Sequence, residues 1–314
     1  MLKYAGNLKL YDQLRSIFEI IIQSQVTPYL FNVSIIKLLL KDPKKSNTDL
    51  SNQRPIAISD SISNLFESVL LDYLNTEHKD HPKQFGFKAN WSCQHAIWTL
   101  KQAIETCKRT NKWTYVCAID ASLAFDLLNR NKLWLELIAQ KVNFTIIIAL
   151  IKYYVSALIL VNNDQDYSDL FKSEIGVRQG GKTSPKLFSI YTEKILRKIS
   201  ESEYRVRINK VKIDVIAYAD DILLVSSIKR GLQELLDKVN VSGNELEIKF
   251  NPSKTIFIIF NHKIKRSASD RRDDSWQEPL KLTGEIIVKV ESTKYLGVEL
   301  NTPYKDAQHM GMLK

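Results

Sequence analysis

Three carboxylates in two short apolar segments are the residues of this chain best placed to do chemistry. Residues 215–226 read VIAYADDILLVS, two runs of strand composition meeting at Tyr218-Ala219-Asp220-Asp221. Adjacent carboxylates at the tip of an apolar hairpin repel each other and lose hydration, so positive charge is expected beside them. Hard divalent cations such as Mg2+ prefer carboxylate oxygens and keep several waters, which leaves room for substrate phosphates in the same shell. Two such ions about 3.5 to 4 Å apart activate an attacking oxygen and stabilise a leaving one. Aspartate is also common in turns because its side chain bonds the local backbone, and the motif alone leaves both readings open.

A third acid favours the metal reading. Residues 113–119 are β-branched and aromatic and end at Asp120, inside the string CAIDASLAFDLLNRNKLW. Two ions need a carboxylate from a separate segment, because neighbouring side chains on one turn cannot surround both. Asp120, Asp220 and, less centrally, Asp221 supply that set. Asp126 is the rival acid; it lies beyond the strand, where a helix N-terminal turn favours Asp through its dipole, and it reads as structural.

The elements that must hold these residues follow a mixed α/β order without internal repeat. Residues 9–24 read as helix and 33–40 as strand, and 41–53 form a polar connector. A helix runs from Ser59 through Leu74 with Ser61 or Ser63 as cap, and a second covers 92–108. After the Asp120 strand come a helix over 132–141, an apolar helix running into a strand over 142–161, and a strand pair over 157–176 turned at Asn162-Asn163-Asp164. Helix 185–200 precedes the acidic hairpin and helix 231–246 follows it, with strands 254–260 and 286–290 pairing later. Between those strands, Asp270, Asp273 and Asp274 alternate with Arg266, Arg271 and Arg272, the pattern of a solvated loop rather than a metal site.

Bulk properties agree with a large folded domain that meets a polyanion without requiring one. A chain of 314 residues with 44% hydrophobic composition buries a sizeable core, and a formal charge of +10 suits a polyanionic partner, although many soluble proteins are basic. Cys93, Cys107 and Cys117 show neither CxxC nor Cys/His ligand spacing, so no disulfide framework or zinc site is indicated and a reducing, intracellular compartment is expected. The N-terminal stretch is charged and amphipathic, unlike a signal peptide. Lys152, Asn143 and Ser156 break the apolar run at 142–161, which therefore reads as buried rather than membrane-spanning.

The segments IDASLAFD, GVRQGGKTSPKLF, YADD, NPSKT and KYLGV, in that order, resemble reverse transcriptases (RNA-directed DNA polymerases), most like those of non-LTR (LINE-type) retrotransposons. Upstream, SNQRPIAISDSISNLFESVLLDYL and QFGFKANWSCQHA resemble the fingers motifs of that family. The resemblance implies an α/β (α+β) palm-and-fingers polymerase, with an antiparallel palm sheet carrying the acids and helices on its back. It divides the chain into a helical lead-in at 1–16, a reverse transcriptase domain at 17–301 and a tail at 302–314, with the thumb expected after the primer grip missing. It also implies Mg2+, with Mn2+ as an alternative, an RNA template, a DNA primer, deoxynucleoside triphosphates and no membrane.

Residue roles carry over on the matching positions. Asp120 and Asp220, assisted by Asp221, hold the metals. Phe125, five positions after Asp120, sits under the nucleotide sugar, where a flat ring clashes with a 2′-hydroxyl; apart from the resemblance it reads as a core Phe at a helix start. Arg54 in QRPI meets the triphosphate as a planar donor, and without the family it is a loop residue. Gln179 matches the residue near the sugar and base, with Gly180 permitting close backbone approach. Lys254 in NPSKT is the candidate proton donor to departing pyrophosphate, against the plain reading of a solvent-facing lysine. Tyr295, Leu296 and Gly297 form the primer grip, presenting backbone. Departures from the pattern are Leu123 before Ala-Phe-Asp, Thr183 in place of Leu, and Asn90 and Trp91 after QFGF. Two alternatives to an active polymerase are a catalytically weak remnant that only binds nucleic acid, and a metal nuclease.

Overall fold

The computed structural model describes residues 8–302 apart from 47, 122–124, 164–165, 202–205, 209 and 266–275. Leu123, the loop acids Asp270, Asp273 and Asp274, residues 1–7 of the expected lead-in and residues 303–314 of the expected tail fall outside the described residues. In chain order the elements are α1 (Leu8–Ser24), β1 (Val33–Leu40), β2 (Gln53–Ser59), α2 (Ser61–Glu77), α3 (Cys93–Arg109), β3 (Thr114–Ile119), α4 (Arg130–Ala139), α5 (Phe144–Val155), β4 (Leu158–Asn163), β5 (Asp166–Tyr167), β6 (Phe171–Lys172) and α6 (Ser184–Ser200). They continue with β7 (Val206–Ile208), β8 (Val211–Ile213), β9 (Val215–Tyr218), β10 (Asp221–Ser226), α7 (Lys229–Leu246), β11 (Ile256–Phe260), β12 (Lys281–Leu282), β13 (Glu285–Ile286), β14 (Val288–Lys289), β15 (Ser292–Tyr295) and β16 (Val298–Asn301). Two compact units interleave along the chain: residues 1–79 with 125–191, and residues 80–124 with 192–314.

The first unit is built on the sheet β2-β1-β4-β5, with β6 also paired to β4. β2 overlaps the expected polar connector only at Gln53, and the rest of it falls where the sequence reading places no strand. Pro55, without an N–H, argues against a central strand, and β2 is an edge strand, where that missing donor breaks no ladder. The cap of α2 is Asp60 rather than Ser61 or Ser63, its carboxylate accepting from the Ile62 and Ser63 amides at 2.7 and 3.3 Å. The apolar run becomes α5 leading into β4, and among the described residues no helix is long and apolar enough to cross a membrane.

The second unit is built on the sheet β14-β11-β3-β10-β9, antiparallel except where β14 joins β11. Strand alternation splits its core. Val116, Ile216, Leu223, Val225 and Ile258 form one cluster with α3 residues Ala96, Leu100 and Ile104. Opposite, α7 buries Leu232, Leu235, Leu236 and Val239 and packs on β10 and β3. The acid-bearing sheet therefore has a helix on each face, and burying a single Leu or Val of this core contributes about 1.5–3 kcal/mol.

Candidate active site

β10 pairs with β3 in the register Ile222↔Ile119 and Leu223↔Ala118. One step beyond the last pair brings Asp221 opposite Asp120, and alternation puts both on the face of Val116 and Leu223. Directly opposed Cβ atoms in such ladders lie about 4.5–5.5 Å apart. Asp220 lies on the two-residue turn between Tyr218 and Asp221. Its neighbour Ala219 has φ +59°, in the left-handed region where glycine is usual. The Asp221 carboxyl is held above the usual aspartate range, first by partial burial and then by the charges of Asp220 and Asp120. Carboxylate oxygens of this kind are the hard donors that Mg2+ takes. Among the described residues no group of three His, Cys, Asp or Glu side chains suffices to cage an ion by itself, and Mg2+ ordinarily completes its shell with waters and substrate phosphates.

Neighbouring loops fix the two acid-bearing segments. The Asp120 carbonyl accepts from Asn251 N at 2.9 Å and the Asp120 amide donates to Thr255 Oγ1 at 3.3 Å. The NPSKT turn thus clamps the backbone of Asp120, with Asn251 Oδ1 accepting from the Ser253 and Lys254 amides. Counting on from Ile256↔Ala118 brings Lys254 opposite Asp120, but the turn takes it out of the ladder and leaves it exposed. At the hairpin, Gln84 Oε1 accepts from Ala219 N at 3.0 Å. The segment QFGF therefore lies in the same unit as the acids, bound to the edge of β9 through Phe85 N→Ala217 O at 2.8 Å.

Tyr295 ends β15, paired with Val298, and Leu296 and Gly297 form the tight turn to β16, with φ +46° at Leu296 and +82° at Gly297. The Tyr295 side chain is buried in the α3-side cluster, and burial followed by the charge of Asp221 pushes its hydroxyl pKa up.

In the other unit, Gln179 and Gly180 lie along the free edge of β2, the strand carrying exposed Arg54. Ala57 N donates to Gln179 O at 2.7 Å, and a Cβ on Gly180 would come within 2.6 Å of Ala57 O. Phe125 stacks on Phe188 of α6 with centroids 4.2 Å apart and planes at 14°, while its carbonyl accepts from Val177 N at 2.9 Å. Phe125 and Asp126 occupy a turn before α4, whose cap is Asn129, so neither stands at a helix start. Asp126 accepts from Gln179 Nε2 at 3.0 and 3.1 Å, a structural role of a different kind from the one expected. Burial raises the Asp126 pKa, and the Gln179 hydrogen bond and Lys41 oppose that rise.

Sequence reasoning missed the residues behind this loop. Buried Arg178 pairs with Glu67 and also donates to Asn32, Ser34 and the Tyr153 hydroxyl. The second Glu67 oxygen accepts from the Lys182 and Thr183 amides, fixing the segment that contains Gln179 and Gly180. Thr183 also places its hydroxyl 3.3 Å from the Tyr154 hydroxyl, which gives a polar side chain a use at a buried position. Asn90 adopts φ +63°, which Asn tolerates well, and Trp91 packs edge-on against Phe85 with centroids 5.0 Å apart. The one available sequence signal was composition, since an Arg and a Glu inside otherwise apolar or small-residue segments must be paired when buried.

An antiparallel sheet bearing carboxylates on one hairpin and on the strand beside it defines a polymerase palm, and the fold matches solved polymerase structures. Apo telomerase from Candida tropicalis, truncated from its C-terminal domain, aligns with a TM-score of 0.56 at 18% identity, covering 93% of this chain and 58% of that one. The description reverse transcriptase (RNA-dependent DNA polymerase) matches residues 42–300, and the chain belongs to that family. It is 26% identical over 308 residues to the probable RNA-directed DNA polymerase from transposon BS of Drosophila melanogaster, covering 94% of this chain and 32% of the relative. It is 24% identical over 247 residues to the Pol polyprotein of the type-2 retrotransposable element R2DM of the same species, covering 78% of this chain and 23% of the relative. The chain thus spans about a quarter to a third of these curated relatives.

Proposed function

We propose that this chain is the RNA-directed DNA polymerase portion of a non-LTR retrotransposon protein, adding deoxynucleotides to a primer 3′-hydroxyl on an RNA template. The observation that carries the reading is the register bringing Asp221 opposite Asp120, with Asp220 on the adjoining turn. Relatives named as RNA-directed DNA polymerases of mobile elements support it, as does a telomerase of the same fold solved with a fragment of telomeric RNA. Asp120 and Asp220, assisted by Asp221, would hold two Mg2+ ions, and Mn2+ would suit the same oxygens. Bound there, such ions supply charge stabilisation to both oxygens of an in-line displacement.

The chain's own residues do the positioning. Arg54 binds the triphosphate, Gln179 and Gly180 approach the nucleotide, and Phe125 excludes a 2′-hydroxyl. Lys254 donates a proton to the departing pyrophosphate, and the turn at Leu296-Gly297 presents backbone to the primer. Positioning and charge stabilisation supply most of the catalysis in phosphoryl transfer, so the carboxylates are the residues whose loss costs most.

Primer extension on poly(A)-oligo(dT) with Mg2+ or Mn2+ tests this, with end-labelled primer watched for shortening. Asp120→Asn and Asp220→Asn keep shape but remove the charge that holds two dications. Extension should fall to background in both while the chain still folds. Substantial extension by a folded Asp120→Asn chain would remove that residue from the site, and shortening of the primer without extension would make the protein a nuclease.

A further inference from the structure

We infer that Gln84 is a positioning residue for the carboxylate-bearing turn, its amide holding the Ala219 peptide in the conformation that directs Asp220 and Asp221. The inference rests on the reading of those acids as metal ligands. Backbone pairing delivers the side chain: Ala217 N donates to Lys83 O at 3.0 Å and Phe85 N to Ala217 O at 2.8 Å, so the segment runs along the free edge of β9. Gln84 then turns its whole amide on one residue, meeting both the N–H and the C=O of Ala219. Oε1 accepts from Ala219 N at 3.0 Å, and Nε2 lies 3.4 Å from Ala219 O. The same Oε1 accepts from Gly86 N at 2.9 Å, which fixes the amide's own orientation.

Two further features show that the contact serves the turn. Ala219 has φ +59°, a backbone conformation that residues with a Cβ seldom adopt without support. Gly86 has no Cβ, and one built there would overlap the Ala219 amide nitrogen, so Gly86 admits the turn at the distance Gln84 needs. At 1% exposure a Gln is an expensive way to fill space, and an apolar residue of similar size would pack as well. The polar side chain is accounted for by the peptide it holds. Asp220 immediately follows that peptide and Asp221 opens β10, so a turn free to leave the left-handed conformation would swing both carboxylates away from Asp120.

The test compares the full wild-type chain with Gln84→Leu, Ala219→Gly, the Gln84→Leu/Ala219→Gly double variant and Asp220→Asn. Two quantities are read: Mn2+ affinity by calorimetric titration without nucleic acid, and the Mg2+ concentration giving half-maximal primer extension. Losing the amide pairing should weaken both in Gln84→Leu by about tenfold, the scale of one or two neutral hydrogen bonds, with the rate at saturating Mg2+ much less affected. Ala219→Gly should restore most of the loss, because glycine adopts the left-handed conformation without support. Wild-type Mn2+ affinity in Gln84→Leu, or a loss that Ala219→Gly does not relieve, would overturn the inference. Unchanged Mn2+ affinity in Asp220→Asn would instead overturn the reading of the acids, and the inference with it. Should Gln84→Leu fail to melt cooperatively, Gln84→Met, closer in length, replaces it; loss of the fold in both would make Gln84 a core support and also overturn the inference.

Discussion

Asp221, proposed to assist in holding the metals, is the residue at which stability and that proposed role pull in opposite directions. Burial and the charges of Asp220 and Asp120 raise its pKa in the folded chain above the value an unfolded chain would show. Between those two values the folded state binds more protons than the unfolded state, so this residue's contribution to stability declines as pH rises through the window. Above that window the folded chain carries the full repulsion. Asp221→Asn should therefore melt higher than wild type at pH 7, with the difference shrinking as pH falls below the ordinary aspartate range and both forms become neutral. Added Mg2+ should raise the wild-type melting temperature more than that of the variant. A lower melting temperature for Asp221→Asn at pH 7 without metal would show that the side chain is stabilised by something other than metal. Phe125 has a separate test. Its stack on Phe188 is worth about 0.5–1.5 kcal/mol beyond the burial of the ring, so Phe125→Ala should lose more than that in denaturant unfolding while ribonucleotide incorporation rises relative to deoxynucleotide incorporation. Unchanged discrimination would leave the ring a packing residue.

At the scale of elements, the loop bearing Gln179 and Gly180 depends on an ion pair between α2 and the residue preceding Gln179. Glu67→Leu leaves the Arg178 guanidinium buried without its counter-charge, which costs about 3–5 kcal/mol. The Glu67→Leu/Arg178→Met double variant should cost distinctly less, and urea unfolding of both singles and the double gives the coupling. Additive losses would mean that the pair does not act as a unit. This pair also shows where sequence reading stops. The apolar strands 114–119 and 215–226 were legible because alternation and β-branching are local, and α3, α5 and α6 because apolar periodicity is local. β2 was missed because Pro55 and the polar residues around it mimic a connector, and only its edge position makes them compatible with a sheet. Glu67 and Arg178 are separated by 111 residues, and Gln84 and Ala219 by 135, so their partnerships depend on tertiary neighbours and leave no periodic trace. Asp120, Asp220 and Asp221 could be singled out together because each ends or interrupts a local apolar run; NPSKT and QFGF could be singled out as motifs, but not their hydrogen bonds to Asp120 and Ala219, which depend on tertiary neighbours.

For the whole molecule the controlling property is charge. A formal charge of +10 on 314 residues predisposes the chain to bind polyanions, and under the proposed function that attraction would act on primer-template and nucleotide alike. Salt separates the two. Each phosphate of a duplex neutralised by the protein releases counterions, so log K for primer-template binding falls against log salt with a slope of about 0.9 per phosphate on B-form DNA and about 0.7 on a single strand. Wild-type chain should therefore show a clear negative slope, and a flat line would mean that the basic excess does not serve polymer binding. Arg54, exposed on β2, is proposed to meet the triphosphate instead. Arg54→Ala should then raise KM for the deoxynucleotide while leaving the slope for primer-template binding where it was. A slope that flattens by about one phosphate's worth, with KM unmoved, would place Arg54 on the nucleic-acid backbone and require another cation for the incoming nucleotide.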